Sequence, residues 1–349
     1  MREWEKNIRR VEPYVPGEQP KNENVIKLNT NENPYPPAPE VIKAASEMKA
    51  DPLRLYPDPA VTDLVEALAE AHKVRPSQVF PGVGSDDVLS MIFLTFFNSD
   101  KPVLFPDITY SFYSVWADVY RIPYEKLALD ENFRIKAEDY YKENGGVVIA
   151  NPNAPTSICE NLEFIEDILK HNQDVIVVVD EAYIDFGGES ALPLLSKYDN
   201  LIIVRTFSKS RSLAGLRVGY AIASEELIKA LNDVKYSVNS YTLNRPAIEL
   251  GTIAVKSKDY YDEITDKIIA TRERTVKELT GLGFECLPSS ANFVFAKHNR
   301  IPAKDIFNAL KEAGIYVRYF SAPRINEYLR ITIGTDEQMD KVFEFMKNL

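Results

Sequence analysis

The feature that most constrains this chain is a series of short apolar runs spaced by helical patterns. Val147 to Ala150, Val175 to Val179 and Leu201 to Val204 are each only four or five residues long and contain no polar alternation. Runs of that kind suit strands buried on both faces, as in parallel sheets, rather than strands with one wet side. Pro102 to Phe105, Gln78 to Pro81 and Val218 to Ala223 read as further strands, and Tyr110 to Val119 and Phe164 to Leu169 as helices between them. Strand and helix in alternation predict an α/β fold with a mostly parallel sheet covered on both faces. Ligands of open sheets bind beyond the carboxyl ends of the strands. The chain sets NPNAPT (Asn151 to Thr156), DEAY (Asp180 to Tyr183) and Ser208-Lys209 at those ends.

The remainder of the chain divides around this block. Residues 1–50 form an arm and part of a smaller unit, 51–244 the large unit, and 245–349 a small α+β unit. Residues 1 to about 36 are rich in Pro, Asn and Glu, which favours extended and turn backbone; Tyr14, Tyr35 and Val25 to Leu28 suggest an arm that packs on something. Helices are expected over Pro39 to Met48 and Ala60 to His72. GVGS leads into DDVLSMIFLTFF, a small-residue turn and a helix whose plainest reading has Ser85 as N-cap. After Tyr241 a helical region runs from Arg245 to Thr280 with a break near Ser257. Strands at GLGFECL and NFVFAK come next, then a helix over Ala303 to Ala313, strands Ile315 to Arg318 and Leu329 to Ile333, and a last helix from Glu337.

Totals narrow the function. Lys+Arg 41 against Asp+Glu 52 gives a net charge of -11, which argues against broad nucleic-acid binding or an anionic membrane surface. Two cysteines without metal spacing, and an N-terminus MREWEKNIRR without an apolar signal core, fit a cytoplasmic protein. Three histidines without HExxH leave no metal site expected, and no G-x-S-x-G elbow is present.

The chemistry gathers at TFSKSRSLAGLRVGY, Thr206 to Tyr220. A lysine close to the end of a core strand can be desolvated and made nucleophilic, although an isolated Ser-Lys pair is usually a solvated loop. Asp180 ends VIVVVD, where a buried carboxylate needs a cationic or hydrogen-bonded partner; a protonated pyridine nitrogen is one candidate, and Arg205 or a capping role the plainer alternative. Ser85, Ser208 and Arg217 can hold a phosphate, and Tyr110 can stack on a ring. A nucleophilic amine, an acid for a ring nitrogen, a phosphate cup and a stacking group are together what pyridoxal 5′-phosphate requires.

With these residues in place the chain resembles the fold-type I pyridoxal-phosphate aminotransferases, and most closely their histidinol-phosphate branch. The resemblance runs through PYVPG, LNTNENPYPP, YPDP, GVGSDDVL, NPNAPT, DEAYIDF, TFSKSRSLAGLRVGY and YLRITIGT. It implies a large domain with a seven-stranded sheet and a smaller α+β domain. It also implies that Lys209 holds the cofactor as a Schiff base and shuttles the substrate proton, that Asp180 keeps the ring nitrogen protonated, and that Tyr183 bonds the ring oxygen O3′. Tyr110 would stack on the ring, and the amides of Ser85 and Asp86, with Ser208 and Arg217, would bind the phosphate. Tyr56 would reach that phosphate from a neighbouring subunit in an obligate homodimer. Arg330 would take the substrate carboxylate, and Arg318, Tyr14 and Asn33 would line the substrate site.

One position departs from the family pattern. Where an asparagine usually precedes Pro-Thr-Gly and bonds O3′, this chain has Ala154, and Ser157 replaces the glycine. Either Asn153 supplies the bond through a shifted backbone or Tyr183 carries O3′ alone; one such bond is worth about 1 kcal/mol net. The implied reaction is amino transfer between L-histidinol phosphate, with imidazole-acetol phosphate as its keto form, and 2-oxoglutarate/glutamate. An aromatic or broad aminotransferase and a threonine-phosphate decarboxylase share the cofactor motifs and are the alternatives. A binding protein that keeps the fold without catalysis is the reading from another class; Lys209, Asp180, Tyr183, Arg217 and Arg330 together argue against it.

Overall fold

The computed structural model describes residues 2–21 and 24–349. The first strand, Ile26–Lys27 (β1), comes after the N-terminal arm. Next in the chain are Val79–Gly82 (β2), Val103–Pro106 (β3), Tyr124–Leu127 (β4), Gly146–Ala150 (β5), Val177–Asp180 (β6), Leu201–Thr206 (β7) and Gly219–Ile222 (β8). These seven form one sheet in the order β2-β8-β7-β6-β5-β3-β4. β8 runs antiparallel to both of its neighbours, and all the other pairs are parallel.

Side chains along a strand point alternately to opposite faces, and both sets are covered here. Val148, Val178 and Ile202 pack among Val88, Ile92, Phe93 and Trp116 of the helices Gly84–Phe96 and Phe112–Tyr120. Their neighbours Val147, Ile149, Val177, Val179, Leu201 and Ile203 meet Ile165, Ile168 and Leu169 of the helix Leu162–His171. Each fully buried aliphatic side chain contributes about 1.5–3 kcal/mol relative to exposure, which is why the runs are unbroken. β4 was not expected from the sequence. It is an edge strand, YEKL, with Glu125 and Lys126 exposed, so it needs no apolar run.

The second sheet is antiparallel. It uses Phe284–Cys286 (β9) and Phe293–His298 (β10); Ile315–Tyr316 (β11) comes between in the chain, and Arg318–Tyr319 (β12) and Leu329–Thr332 (β13) complete it in the order β12-β13-β10-β9. The single strand expected over Ile315 to Arg318 is therefore two. β11 pairs in parallel with β1 while β12 pairs with β13, and the chain changes partner at Val317. Through β1 and the Leu28 carbonyl, which accepts Thr332 N–H at 3.0 Å, the segment after the arm is tied to the small unit.

The helical region after Tyr241 is two helices, Arg245–Lys256 and Lys258–Gly281, meeting at Ser257. The first buries Ala247, Ile248 and Ala254 against Leu64 and Phe207 beside the large sheet. The second is shared, with Tyr261 and Ile264 in that same cluster and Ile268 and Leu279 in the core of the small sheet. We accordingly propose that the boundary between the units runs through this helix, between Ile264 and Ile268, rather than at 244/245.

Candidate active site

Strand register brings the loops together. Ala150, Asp180 and Val204 are Cα partners across β5, β6 and β7, so the loops leaving these three strands open into one space. The antiparallel β8 contributes its beginning instead, with Gly219 opposite both Gly82 and Thr206. This reversal is what carries Arg217 to the carboxyl ends of the other strands. A cavity of about 730 Å³ lies there, lined by Ser85, Asp86, Tyr110, Asp180, Tyr183, Ser208, Lys209 and Arg217, together with Arg318, Arg330 and Tyr14.

Lys209 lies just past β7. Its Nζ donates to the Thr30 carbonyl at 3.1 Å and stands 5.6 Å from the centre of the Tyr183 ring. Asp180 is buried at the end of β6, where it accepts the Tyr113 hydroxyl at 2.8 Å and Ala182 N–H at 3.2 Å. Burial pushes its pKa up to about 6, while the Tyr113 bond opposes the shift. Arg205, the alternative partner, is engaged elsewhere, at 2.8 Å from Glu181 and 3.4 Å from Asp185. Asp180 is thus a desolvated carboxylate without a protein counter-cation among the described residues, facing a cavity. A protonated nitrogen is the complement such a group calls for.

The opposite wall is an anion cradle. The helix Gly84–Phe96 opens at Gly84, whose φ of 81° lies in the left-handed region that favours glycine. Ser85 therefore sits inside the first turn and is not the N-cap; the cap contact is Val83 N–H donating to the Asp87 carboxylate at 2.9 Å. The amides of the first turn have no carbonyl to meet within the helix and carry the positive end of its dipole. A Cβ on Gly219 would lie 2.2 Å from Ser85 N, so β8 and this turn touch backbone to backbone. The Thr206 hydroxyl donates to Ser208 Oγ at 3.0 Å and accepts Ser208 N–H at 3.1 Å, which fixes that serine. Asp86 receives the Tyr110 hydroxyl at 2.8 Å and lies 3.5 Å from the Arg217 guanidinium, so one carboxylate positions both.

On the small-unit side, Arg330 is half-buried, with no carboxylate paired to it among the described residues. Its Nη2 donates to the Asn29 carbonyl at 2.9 Å, Nε has no partner among the described residues, and Phe293 and Phe320 lie 5.4 and 5.6 Å from the guanidinium carbon. Burial holds its pKa below the usual arginine range, and nearby Arg318 acts in the same direction. Arg318 donates to the Val15 carbonyl at 3.4 Å, and Tyr14 stacks on Phe112 with ring centres 4.2 Å apart, so the arm crosses the cavity mouth. Two half-buried cations with no paired carboxylate among the described residues make a receptor for an anion.

Three expected residues lie elsewhere. Asn153 commits both amide hydrogens to its own surroundings, to the Ile108 carbonyl at 3.0 Å and Thr156 Oγ1 at 2.9 Å, and its Oδ1 accepts from Thr109 at 2.7 Å. It has no N–H left for a ring oxygen. Asn33 does not line the cavity; its Nδ2 donates to the Lys209 carbonyl at 3.0 Å and so fastens the lysine loop. Tyr56 is 78% exposed, stacked on Tyr241 with ring centres 4.5 Å apart, and outside this chain's own cavity. Two residues went unread in the sequence. Tyr113, one helical turn after Tyr110, was open to detection by helical spacing; Asn31, which bonds the Tyr183 hydroxyl at 2.9 Å, left no local signal.

A doubly wound sheet with a lysine, an uncompensated carboxylate and a helix-turn anion cradle at one edge is the arrangement of pyridoxal-phosphate transferases of fold type I. Residues 23–346 match the aminotransferase class I and II family, and the chain belongs to it. Over 350 residues it is 52% identical to the histidinol-phosphate aminotransferase of Acinetobacter baumannii, covering 99% of this chain and 97% of that one. The enzyme of the same description from Lactococcus lactis is 52% identical over 344 residues, with the same coverage. Among solved structures, the histidinol-phosphate aminotransferase of Sinorhizobium meliloti in complex with pyridoxal-5′-phosphate superposes with a TM-score of 0.84 at 25% identity, covering 93% of this chain and 91% of that one.

Proposed function

We propose that this chain is a pyridoxal-phosphate-dependent aminotransferase acting between L-histidinol phosphate and 2-oxoglutarate, a step of histidine biosynthesis. The observation that carries the chemistry is Asp180, a buried carboxylate with no protein cation, level in the sheet with the strand that leads to Lys209. The residues fit the cofactor: Asp180 for the ring nitrogen, Tyr183 for the ring oxygen, Tyr110 for the ring face. The first-turn amides, Ser208 and Arg217 suit its phosphate. Bound there, pyridoxal phosphate supplies an electron-withdrawing ring that takes up the electrons released when a substrate Cα–H bond breaks. Lys209 would anchor the cofactor through its amine, and the same Nζ would hold and pass on the proton taken from the substrate Cα. Asp180 would hold a proton on the ring nitrogen, because its desolvated carboxylate is stabilised by a cation beside it.

Arg330 and Arg318 account for two substrates in one site. Glutamate presents an α-carboxylate, whereas histidinol phosphate presents a phosphate monoester on the carbon that replaces it. A pair of arginines accepts either anion, and the second cation suits the dianion. Arg330→Leu is expected to lower kcat/KM about 10²- to 10³-fold for both amino donors, the scale of removing one member of a buried charge pair. Steady-state kinetics with each donor checks it, and a loss confined to one donor contradicts the shared role.

We further propose that the active unit is a homodimer in the cytoplasm. Tyr56, exposed beside Leu53 and Leu55, would complete the phosphate cradle of a second copy. The deciding experiment is a single-turnover panel of histidinol phosphate, tyrosine, phenylalanine and phosphothreonine against the cofactor-loaded enzyme. Rapid conversion of the bound cofactor to its pyridoxamine form by histidinol phosphate is expected. Fast conversion by phenylalanine with none by histidinol phosphate would sink the substrate assignment.

A further inference from the structure

The Tyr183 hydroxyl has one protein partner among the described residues, and that partner is a donor, Asn31 Nδ2 at 2.9 Å. A hydroxyl oxygen that accepts from the protein keeps its own hydrogen for another acceptor. Tyr183 lines the cavity with Asp180, Lys209 and Ala154, so that hydrogen is free for a group bound there.

The direction of this bond is set one step further back. The Thr332 hydroxyl donates to Asn31 Oδ1 at 3.1 Å and accepts Asn31 main-chain N–H at 3.0 Å, while Asn292 Nδ2 donates to the Asn31 carbonyl at 3.0 Å. With Oδ1 held by a donor, the amide presents its NH₂ to the phenol. Turned over, it would offer an oxygen instead and draw the phenolic hydrogen away from the cavity. Asn31 is 1% exposed, with φ 56° in the left-handed region that asparagine tolerates better than most residues. The group is therefore locked by its surroundings as well as by its bonds.

Ala154 makes the direction matter. Alanine has no hydrogen-bonding side chain, and the adjacent Asn153 has spent both amide hydrogens on Ile108 and Thr156. We propose that Asn31, oriented by Thr332, is a positioning residue that turns the Tyr183 hydrogen into the cavity, so that one phenol supplies the bond to the cofactor ring oxygen that position 154 does not. The proposal rests on the pyridoxal-phosphate reading given above.

The test measures the visible absorbance of the cofactor-loaded enzyme against pH, not turnover. The charged and titratable groups that face Tyr183 are Lys209, Arg330, Tyr110 and Tyr113, all retained in every variant. A hydrogen bond to the ionised ring oxygen favours that form, so losing the bond moves the midpoint upward. Tyr183→Phe is expected to raise it by about one pH unit, the scale of one hydrogen bond. Asn31→Asp keeps the shape and backbone but accepts the phenolic hydrogen, and a similar rise is expected. Its added charge acts without the phenol too, so the decisive quantity is the part of the rise that disappears in the Tyr183→Phe background. Thr332→Val, neutral and similar in shape, is expected to raise the midpoint by a smaller amount, and Thr332→Ser to restore it; this pair carries the test if Asn31→Asp does not fold. Shifts that are absent, or equal with and without the Tyr183 hydroxyl, overturn the proposal alone. A midpoint unmoved in Tyr183→Phe overturns the role of Tyr183 and this proposal with it.

Discussion

Lys209→Ala is expected to yield a folded, colourless protein whose transamination rate falls by about 10⁴-fold or more. On the proposed reading the amine serves twice, as covalent anchor and as proton carrier, and a positioned acid–base group alone is commonly worth 10²- to 10⁴-fold. The fold should tolerate the change. Among the described residues Nζ makes one hydrogen bond, to the Thr30 carbonyl, so the stability cost is about 1 kcal/mol. Absorbance spectra after gel filtration, with thermal unfolding of the same samples, separate the two effects. A Lys209→Ala protein that keeps the borohydride-sensitive visible band through gel filtration and retains turnover would remove Lys209 from the mechanism.

Asp180→Asn carries the second large effect, and its pH dependence has a definite sign. In the protein without cofactor the Asp180 pKa is raised to about 6 by burial. A carboxyl whose folded pKa lies above its unfolded value favours folding when protonated. That contribution is full below the unfolded pKa, near 4, and is lost as pH rises through about 6. The corresponding penalty at neutral pH is on the order of 2–3 kcal/mol. A protonated ring nitrogen offsets it. The gain in Tm on loading the cofactor should accordingly be larger at pH 8 than at pH 5 in the wild type. In Asp180→Asn that extra gain should vanish, and turnover should fall about 10²- to 10³-fold, as for breaking a buried charge pair. Differential scanning fluorimetry with and without pyridoxal phosphate at the two pH values checks the first part. Equal gains in wild type and variant would contradict the assignment.

Legibility in the sequence depends on where the free energy lies. The central strands are legible because both of their faces are buried: Val147 to Ala150 and Leu201 to Val204 can be little else. The edge strand Tyr124–Leu127 is hidden because a half-solvated strand needs no such run. Ser85 reads as a cap, wrongly, because the left-handed turn at Gly84 starts the helix earlier than side-chain preference implies. Lys209, Asp180 and Arg217 stand out because charges beside core strands are costly. Asparagines behave differently. Asn33 and Asn153 sit close to the site yet spend their amides on loop backbone and a threonine. Asn31 bonds a residue 152 positions away, a relation that no local pattern carries. Tyr113 itself is legible from its spacing after Tyr110, whereas its bond to Asp180, 67 positions on, is not.

The reversal of β8 has a consequence for how this site can change. Thr206 and Gly219 face each other as Cα partners, so residues 207–218 form a loop pinned at both feet in one sheet. Lys209 stands near one foot and Arg217 near the other. On the reading proposed above, inserting or deleting a residue between them would shift the contact to the aldehyde end of the cofactor and the contact to its phosphate in the same event. The loops after β5 and β6 are not closed in this way and can vary one at a time. On the proposed reading, a change of length after β5 or β6 would thus disturb one contact to the cofactor ring, and a change between β7 and β8 two contacts at once.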